Sequence, residues 1–271
     1  MKATEIRSSL YDGSKFLEAL EAVEKELRGG VEGQERSELF ALGAWCFYRL
    51  KKYAEAFDFA NQAGSFVWAR ECLMYLAAYA PGYKNDETLI ALCAELGDTV
   101  NSCNAIIIRA RDADSTIASS DVLARVIRHQ GTDVSTANLW HNGARFFLAL
   151  GEKGGSDSEQ HFHHAKILIG GALARYGDGD MNVHHRAAAN HWKSKILEKI
   201  GRHGDAIEAA RESERLWSRQ RELDPKNPAH VEKQTGAAQW LKKLLTAVVL
   251  LATVAIRYAT TLAQYVCSLA A

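Results

Sequence analysis

Only three prolines occur in this chain of 271 residues, and none falls inside a periodic segment. Pro81 follows "LMYLAAYA", while Pro225 and Pro228 stand together in "LDPKNPAH". An interior proline costs a helix about 3 kcal/mol, so prolines confined to junctions leave long helices uninterrupted. Strand-type alternation is missing too, and the chain is expected to be all-α. Net charge is absent: 33 Lys plus Arg balance 33 Asp plus Glu, so no overall field draws the molecule to nucleic acid or to an anionic surface. A protein or peptide partner is expected, and no nucleic acid. The five cysteines, Cys46, Cys72, Cys93, Cys103 and Cys267, form no CxxC pair, which argues for reduced, packed thiols and a cytoplasmic setting. The opening "MKATEIRSSLYDG" lacks the apolar stretch of a secretory signal.

What is present is a recurring pair of helical faces. In "FALGAWCFYRLKKYAEAFDFANQA", Phe40, Ala44 and Phe47 share one face, a turn is expected around Lys51 and Lys52, and Tyr53, Ala56, Phe57, Ala60 and Ala63 line a second face. The small residues Ala44 and Ala56 let two antiparallel helices approach closely. The pattern returns in "WHNGARFFLALGEKGG", where Trp140, Gly143, Ala144 and Phe147 match Phe40, Gly43, Ala44 and Phe47 in order and spacing. A third copy, "WKSKILEKIGRHGDAIEAA", has Gly201 at the turn and Ala206, Ile207 and Ala210 on the second helix, but Ser194 stands where a small apolar residue is expected.

These residues resemble the tetratricopeptide repeat (TPR), and "RELDPKNPAH" resembles its repeat-ending L-D-P-x-N-P. The resemblance spans residues 3–234. It is weaker around Phe16 and Ala19, where the first helix is shortened to roughly residues 3–11, and in two degenerate pairs between residues 66 and 130. Spacing between the copies is irregular, and the helix after Gly201 runs about two turns longer than the family's. The resemblance implies a right-handed α-solenoid of about six helical pairs in residues 1–234, followed by a long apolar helix in residues 235–271. It also implies a non-enzymatic adaptor or scaffold whose groove grips a partner. Lys51, Lys52, Asn142, Arg145, Asn190 and Lys193 are the polar residues near groove positions.

Histidines cluster in "HFHHAK" and "HHRAAANHW". His161 and His164 share a helical face, yet no cysteine or carboxylate stands beside them at ligand spacing, so no metal is expected. "DGDMN" opens like a calcium loop with Asp178, Asp180 and Asn182, but Val183 occupies the glycine position and no acid stands at the twelfth. The spacing from Arg186 to His191 resembles the R-x4-H motif of the HEPN ribonucleases, which implies an alternative in which histidine exchanges a proton and arginine neutralises a phosphate. Walker loops, GxSxG elbows, GxGxxG turns and HExxH helices are lacking, and no cofactor is expected.

The chain closes on its most apolar stretch. Leu244 to Ile256 carry no charge, and Trp240, Lys242 and Lys243 precede them as at a cytoplasmic membrane interface. Gly236 offers a break just before. Thr246, Thr253, Arg257, Thr260, Thr261, Gln264 and Ser268 follow one another at helical spacing and form a narrow polar stripe. A span needs about twenty apolar residues, and a lone lipid-facing Arg257 costs about 2.5–3.5 kcal/mol. Three arrangements accommodate the stripe: membrane insertion with several copies turning Arg257 inward, self-association into a homo-oligomer, or burial as the last helix of a soluble scaffold.

Overall fold

A computed structural model describes residues 2–270 except Lys226, with side chains of the last helix given through Ile256 and at Ala259. Among the described residues every regular element is helical, as the proline and periodicity patterns require. The chain divides into two compact units, Met1–His129 and Gln130–Ala271.

The first unit holds α1 (Ala3–Ile6), which continues through one π-helical turn (Arg7–Tyr11), then α2 (Phe16–Arg28), α3 (Gly33–Arg49), α4 (Tyr53–Gln62), α5 (Val67–Tyr79), α6 (Asp86–Glu95), α7 (Val100–Ala110) and α8 (Ser119–Arg128). Each helix packs on the next, and α3 also packs on α1 and α5, and α5 on α7. The α3–α4 turn follows from local geometry. Lys51 takes a left-handed φ of 61°, and the N–H of Lys52 donates to the Phe47 carbonyl at 2.9 Å, closing the helix end.

Close packing in this unit differs in one detail from the sequence pattern. Ala44, Ala56 and Ala60 are fully buried as expected. Phe57, assigned to the inner face, is 39% exposed, and Phe59 takes its place. The Phe59 ring lies edge-on between Phe40 and Phe47, with centroids at 5.3 and 4.9 Å. Gly43 makes this possible, because a Cβ there would sit 2.6 Å from the Phe59 ring.

An ion pair absent from the sequence reading ties α6 to α7. Arg109, 4% exposed, reaches Asp86 at 2.7 Å, and also Asp112 at 3.1 Å and Asp114 at 2.7 Å. Asp86 further accepts the Thr116 N–H, the Thr116 hydroxyl at 2.9 Å and the Ser115 hydroxyl at 3.1 Å. Burial alone would raise its pKa, but those hydrogen bonds and the Arg109 charge outweigh it and hold the carboxyl below its ordinary value.

The second unit holds α9 (Val134–Glu152), α10 (Ser158–Tyr176), a 3₁₀ turn (Asp180–Asn182), α11 (Val183–Lys199), α12 (His203–Leu223) and α13 (Pro228–Ala270). Ala144 and Phe147 are buried on α9, and the Trp140 ring covers Gly171 of α10. The α11–α12 turn repeats the geometry seen at Lys51: Gly201 has φ 76°, and the Arg202 N–H donates to the Leu197 carbonyl at 2.9 Å. Ser194 is buried because its hydroxyl donates to the Ala206 carbonyl at 2.7 Å, which explains a polar residue at a packing position.

The last helix is continuous through Gly236, so no break occurs there. Ala237 packs with Leu216, Trp217, Val183 and Ala187, and Leu244 with Leu197, Ala206, Ala209 and Ala210. Contact with the core ends at that point. Val249, Leu250, Val254 and Ile256 are each more than 60% exposed, so this part of the apolar run is not core of the second unit.

Two outcomes test this packing. Ala44→Leu overpacks the α3–α4 contact and should lower unfolding stability by about 1–3 kcal/mol in urea titrations. Asp86→Ala removes three accepted hydrogen bonds and one partner of buried Arg109; a loss of about 3 kcal/mol is expected, at the low end for a broken buried pair because Asp112 and Asp114 remain. Because the folded Asp86 has a depressed pKa, its contribution is present at neutral pH and fades as pH falls below the ordinary carboxylate range, and the variant should lose that part of the acid dependence.

Candidate functional site

The second unit contains a cleft of about 690 Å³ walled by α9, α11, α12 and α13. Helical register builds it. His141 and Arg145 stand four apart on α9, His184, Ala188, His191 and Lys195 follow at fours and threes on α11, and Glu232, Gly236, Gln239 and Lys243 do the same on α13. Trp192, Trp217 and Trp240 supply aromatic walls.

Trp240 is held by its indole N–H, which donates to the Ser194 hydroxyl at 2.9 Å. Trp240, read from sequence as a membrane flank beside Lys242 and Lys243, is partly buried against the Leu244 cluster, and its ring forms part of the cleft wall. Cations lie over these rings: Arg145 at 4.7 Å and Lys195 at 4.4 Å from the Trp192 centroid, and Lys243 at 5.0 Å from that of Trp240. Among the lining residues Arg145, Lys195, Lys233 and Lys243 face a single acid, Glu232, so the cleft favours negative charge although the whole chain is neutral.

The histidines of the cleft are neutral. Burial pushes His141 down to about 3, helped by the charges of Arg145 and His185, and pushes His191 down to about 4, helped by Lys195 and Lys233. Burial also lowers His184 and His185. His185 stacks on Tyr176, whose hydroxyl donates to Asn138 Oδ1 at 2.7 Å and lies 3.2 Å from His141 Nδ1. With the phenol proton committed to Asn138, His141 Nδ1–H is the donor to the phenol oxygen, and Nε2 carries a lone pair. That Nε2 is buried and has no partner. Neutral imidazoles beside ammonium and guanidinium groups suit the binding of an anion better than proton donation at neutral pH.

Of the residues singled out from sequence, Arg145, Trp240 and Lys243 line this cleft. Asn190 and Lys193 instead border a second depression of about 450 Å³ with Lys166, Arg202 and Glu212. Lys51 and Lys52 form the α3–α4 turn of the first unit, and Asn142 is half-buried on α9. His191 faces the cleft, but Arg186 is not among its lining residues and pairs with Asp178 at 3.1 Å, so the R-x4-H residues do not converge on one site. Asp180 lies 3.5 Å from Arg219, and both loop acids thus serve arginines. His161 and His164 pack on the Phe147 ring. Among the described residues no three His, Cys, Asp or Glu side chains are grouped to hold a metal. Lys242 is exposed, and the Thr246 and Thr253 hydroxyls donate to the Lys242 and Val249 carbonyls at 3.0 and 2.8 Å. The side chains of Arg257 and Gln264, like those of Thr260, Thr261 and Ser268, lie outside the described residues.

Sequence reasoning missed His141, Trp192, Lys195 and Trp217 as site residues. The spacing of His184, Ala188, His191 and Lys195 marks one helical face, but nothing in the sequence says that α13 folds back across it. No family model and no curated protein matches this chain.

Neutral buried histidines make the second unit acid-sensitive. With folded values near 3 and 4 against an ordinary 6.5, the unfolded chain binds more protons as pH drops below 6.5. Stability present at neutral pH should therefore fall between about pH 6 and pH 4, by about 1.4 kcal/mol per pH unit for each of the two histidines. Urea titrations across that range should show the slope, and His141→Phe should remove its share of it.

Proposed function

We propose that the chain is a non-enzymatic, TPR-like helical-repeat adaptor held at a membrane by its last helix. The repeat reading is supported by consecutive packing of α1 to α8 and of α9 to α13, by the packing of α1, α3, α5 and α7 on one another in succession, and by the shared turn geometry at Lys51 and Gly201. In such an arrangement each pair covers its neighbour's apolar face and leaves a polar groove for a protein or peptide segment.

The observation that carries the membrane reading is the exposure of the run after Leu244 on nearly every side of a continuous helix. At 3.6 residues per turn, Leu245, Val249 and Ile256 point one way while Leu250 and Val254 point roughly opposite. A contact with one partner helix buries one stripe, whereas a helix apolar nearly all round fits lipid. The helix satisfies its own backbone, and Thr246 and Thr253 return their hydroxyls to it, as a bilayer demands. The stretch Pro228–Ile256 has an 18-residue window of mean hydropathy 1.5, of which 6% is buried. Lys242 and Lys243 at the boundary fit the cytoplasmic side.

The test follows from where core contact stops. Full-length protein should fractionate with membranes, and a chain ending at Thr246, which retains Ala237, Trp240 and Leu244, should be soluble and folded. Val249→Asp should release the full chain at an insertion penalty of about 2.5–3.5 kcal/mol, with little change in melting temperature, because Val249 is 64% exposed. Full-length protein that stays soluble overturns the membrane reading, and if it is then an oligomer that Thr246 truncation makes monomeric, the run is a self-association helix.

A further inference from the structure

We propose that the cleft of α9, α11, α12 and α13 binds a phosphate ester that also carries a hydroxyl, the chemistry shared by an anionic lipid headgroup such as phosphoglycerol and by free polyol phosphates. Three features of the cleft point to that ligand. The first is the placement of its cations: Arg145, Lys195 and Lys243 come from three different helices and are positioned by tryptophan faces. An anion answering them needs acceptors in several directions, which a tetrahedral phosphate has and a planar carboxylate lacks.

The second feature is His141. It is 8% exposed, lines the cleft, and holds a buried Nε2 without a partner. Because Nδ1–H is spent on the Tyr176 oxygen, Nε2 is an acceptor, and a buried acceptor without a donor is costly. A phosphodiester offers no donor and a monoester is mostly doubly ionised at neutral pH, with a second pKa of about 6, so a ligand hydroxyl is the donor that answers Nε2. The cleft volume of about 690 Å³ lies within the range of small-molecule sites, about 300–1,000 Å³.

The third feature is location. Trp240 and Lys243 line the cleft on the same helix whose exposed apolar run begins at Leu245. At 1.5 Å rise per residue, Lys243 is about 9 Å along the axis from Val249. If that run enters a bilayer, as proposed above, the cleft stands at headgroup depth. The lipid source rests on that reading, whereas the free source does not.

The test uses the full chain in two arms. In detergent, tryptophan fluorescence is followed while glycerol 1-phosphate or methyl phosphate is added. Glycerol 1-phosphate should bind about tenfold more tightly than methyl phosphate, which lacks the hydroxyl. Arg145→Gln and Lys195→Gln should each weaken both ligands about tenfold, while His141→Phe should erase the preference between them. Should His141→Phe fail to fold, the two lysine and arginine variants and the ligand pair on unaltered protein still decide. In the second arm, vesicles of phosphatidylcholine alone are compared with vesicles containing phosphatidylglycerol. Capture increased by phosphatidylglycerol and reversed by Lys195→Gln identifies the lipid as the source. Binding of free glycerol 1-phosphate without that increase identifies a soluble ligand. Capture by phosphatidylcholine alone, with no increase and no binding of either free phosphate, overturns the cleft proposal and leaves the anchor standing. Binding of glycerol 1-phosphate without capture by any vesicle does the reverse. Equal affinity for the two phosphates, or binding indifferent to both Arg145→Gln and Lys195→Gln, also overturns the proposal.

Discussion

The indole of Trp240 donating to Ser194, whose hydroxyl in turn donates to the Ala206 carbonyl, is the contact on which the second unit's organisation depends. It joins α13 to α11 and α12 through one buried hydroxyl, and Leu244 completes the attachment one turn later against Leu197, Ala206, Ala209 and Ala210. This short segment has two consequences. It brings Glu232, Gly236, Gln239 and Lys243 across from the His191 face of α11, which creates the cleft. It also ends core contact soon after, so most of the apolar residues from Leu245 to Ile256 lie exposed on a continuous helix.

Several buried polar groups join neighbouring elements, whereas buried Ser102, Thr136 and Asn190 bond only within their own helix or its cap. Asp86 and Arg109 fasten the start of α6 to the end of α7 and to the loop after it, with Thr116 and Ser115 filling the carboxylate's remaining acceptor sites. Ser213, fully buried, donates to the Ala187 carbonyl at 2.8 Å and pins α12 to α11. His141 also joins two helices, through Tyr176 of α10, but only one of its two nitrogens is satisfied. An unsatisfied buried acceptor beside four lining cations is an arrangement that stability does not require, and for that reason it bears on binding.

The cleft also shows how a chain with no net charge acquires a charged site. Lysine and arginine equal aspartate and glutamate over the whole sequence, yet the acids of the second unit are largely engaged elsewhere: Asp178 with Arg186, Asp180 with Arg219, and Glu212 with Arg215. Arg145, Lys195 and Lys243 lie over tryptophan rings, and burial lowers the pKa of Lys195 first, with the nearby charges of Arg145 and Lys243 lowering it further against the opposing pull of Glu152. Such a group is better solvated by an anion than by its present surroundings.

The sequence by itself determined the helices. Proline placement, the matched faces at Phe40 and Trp140, and the turns at Lys51 and Gly201 are local properties, set by residues within a few positions of one another, and the helix ends lie within a few residues of where those signals put them. The apolar run after Leu244 was equally visible, because composition alone marks it. Tertiary structure decided what periodicity does not contain. It put Phe59 rather than Phe57 against Gly43: the two lie on opposite flanks of α4, about 200° apart, and the facing helix decides which flank is covered. It separated Arg186 from His191, because five residues of helix turn the two side chains to different sides. It tied Trp240 to Ser194 of α11, and it assembled His141, His191, Lys195 and Lys243 from three helices separated by up to about a hundred positions. Contacts of that range depend on how helices pack on one another, and no local signal in the chain encodes that packing.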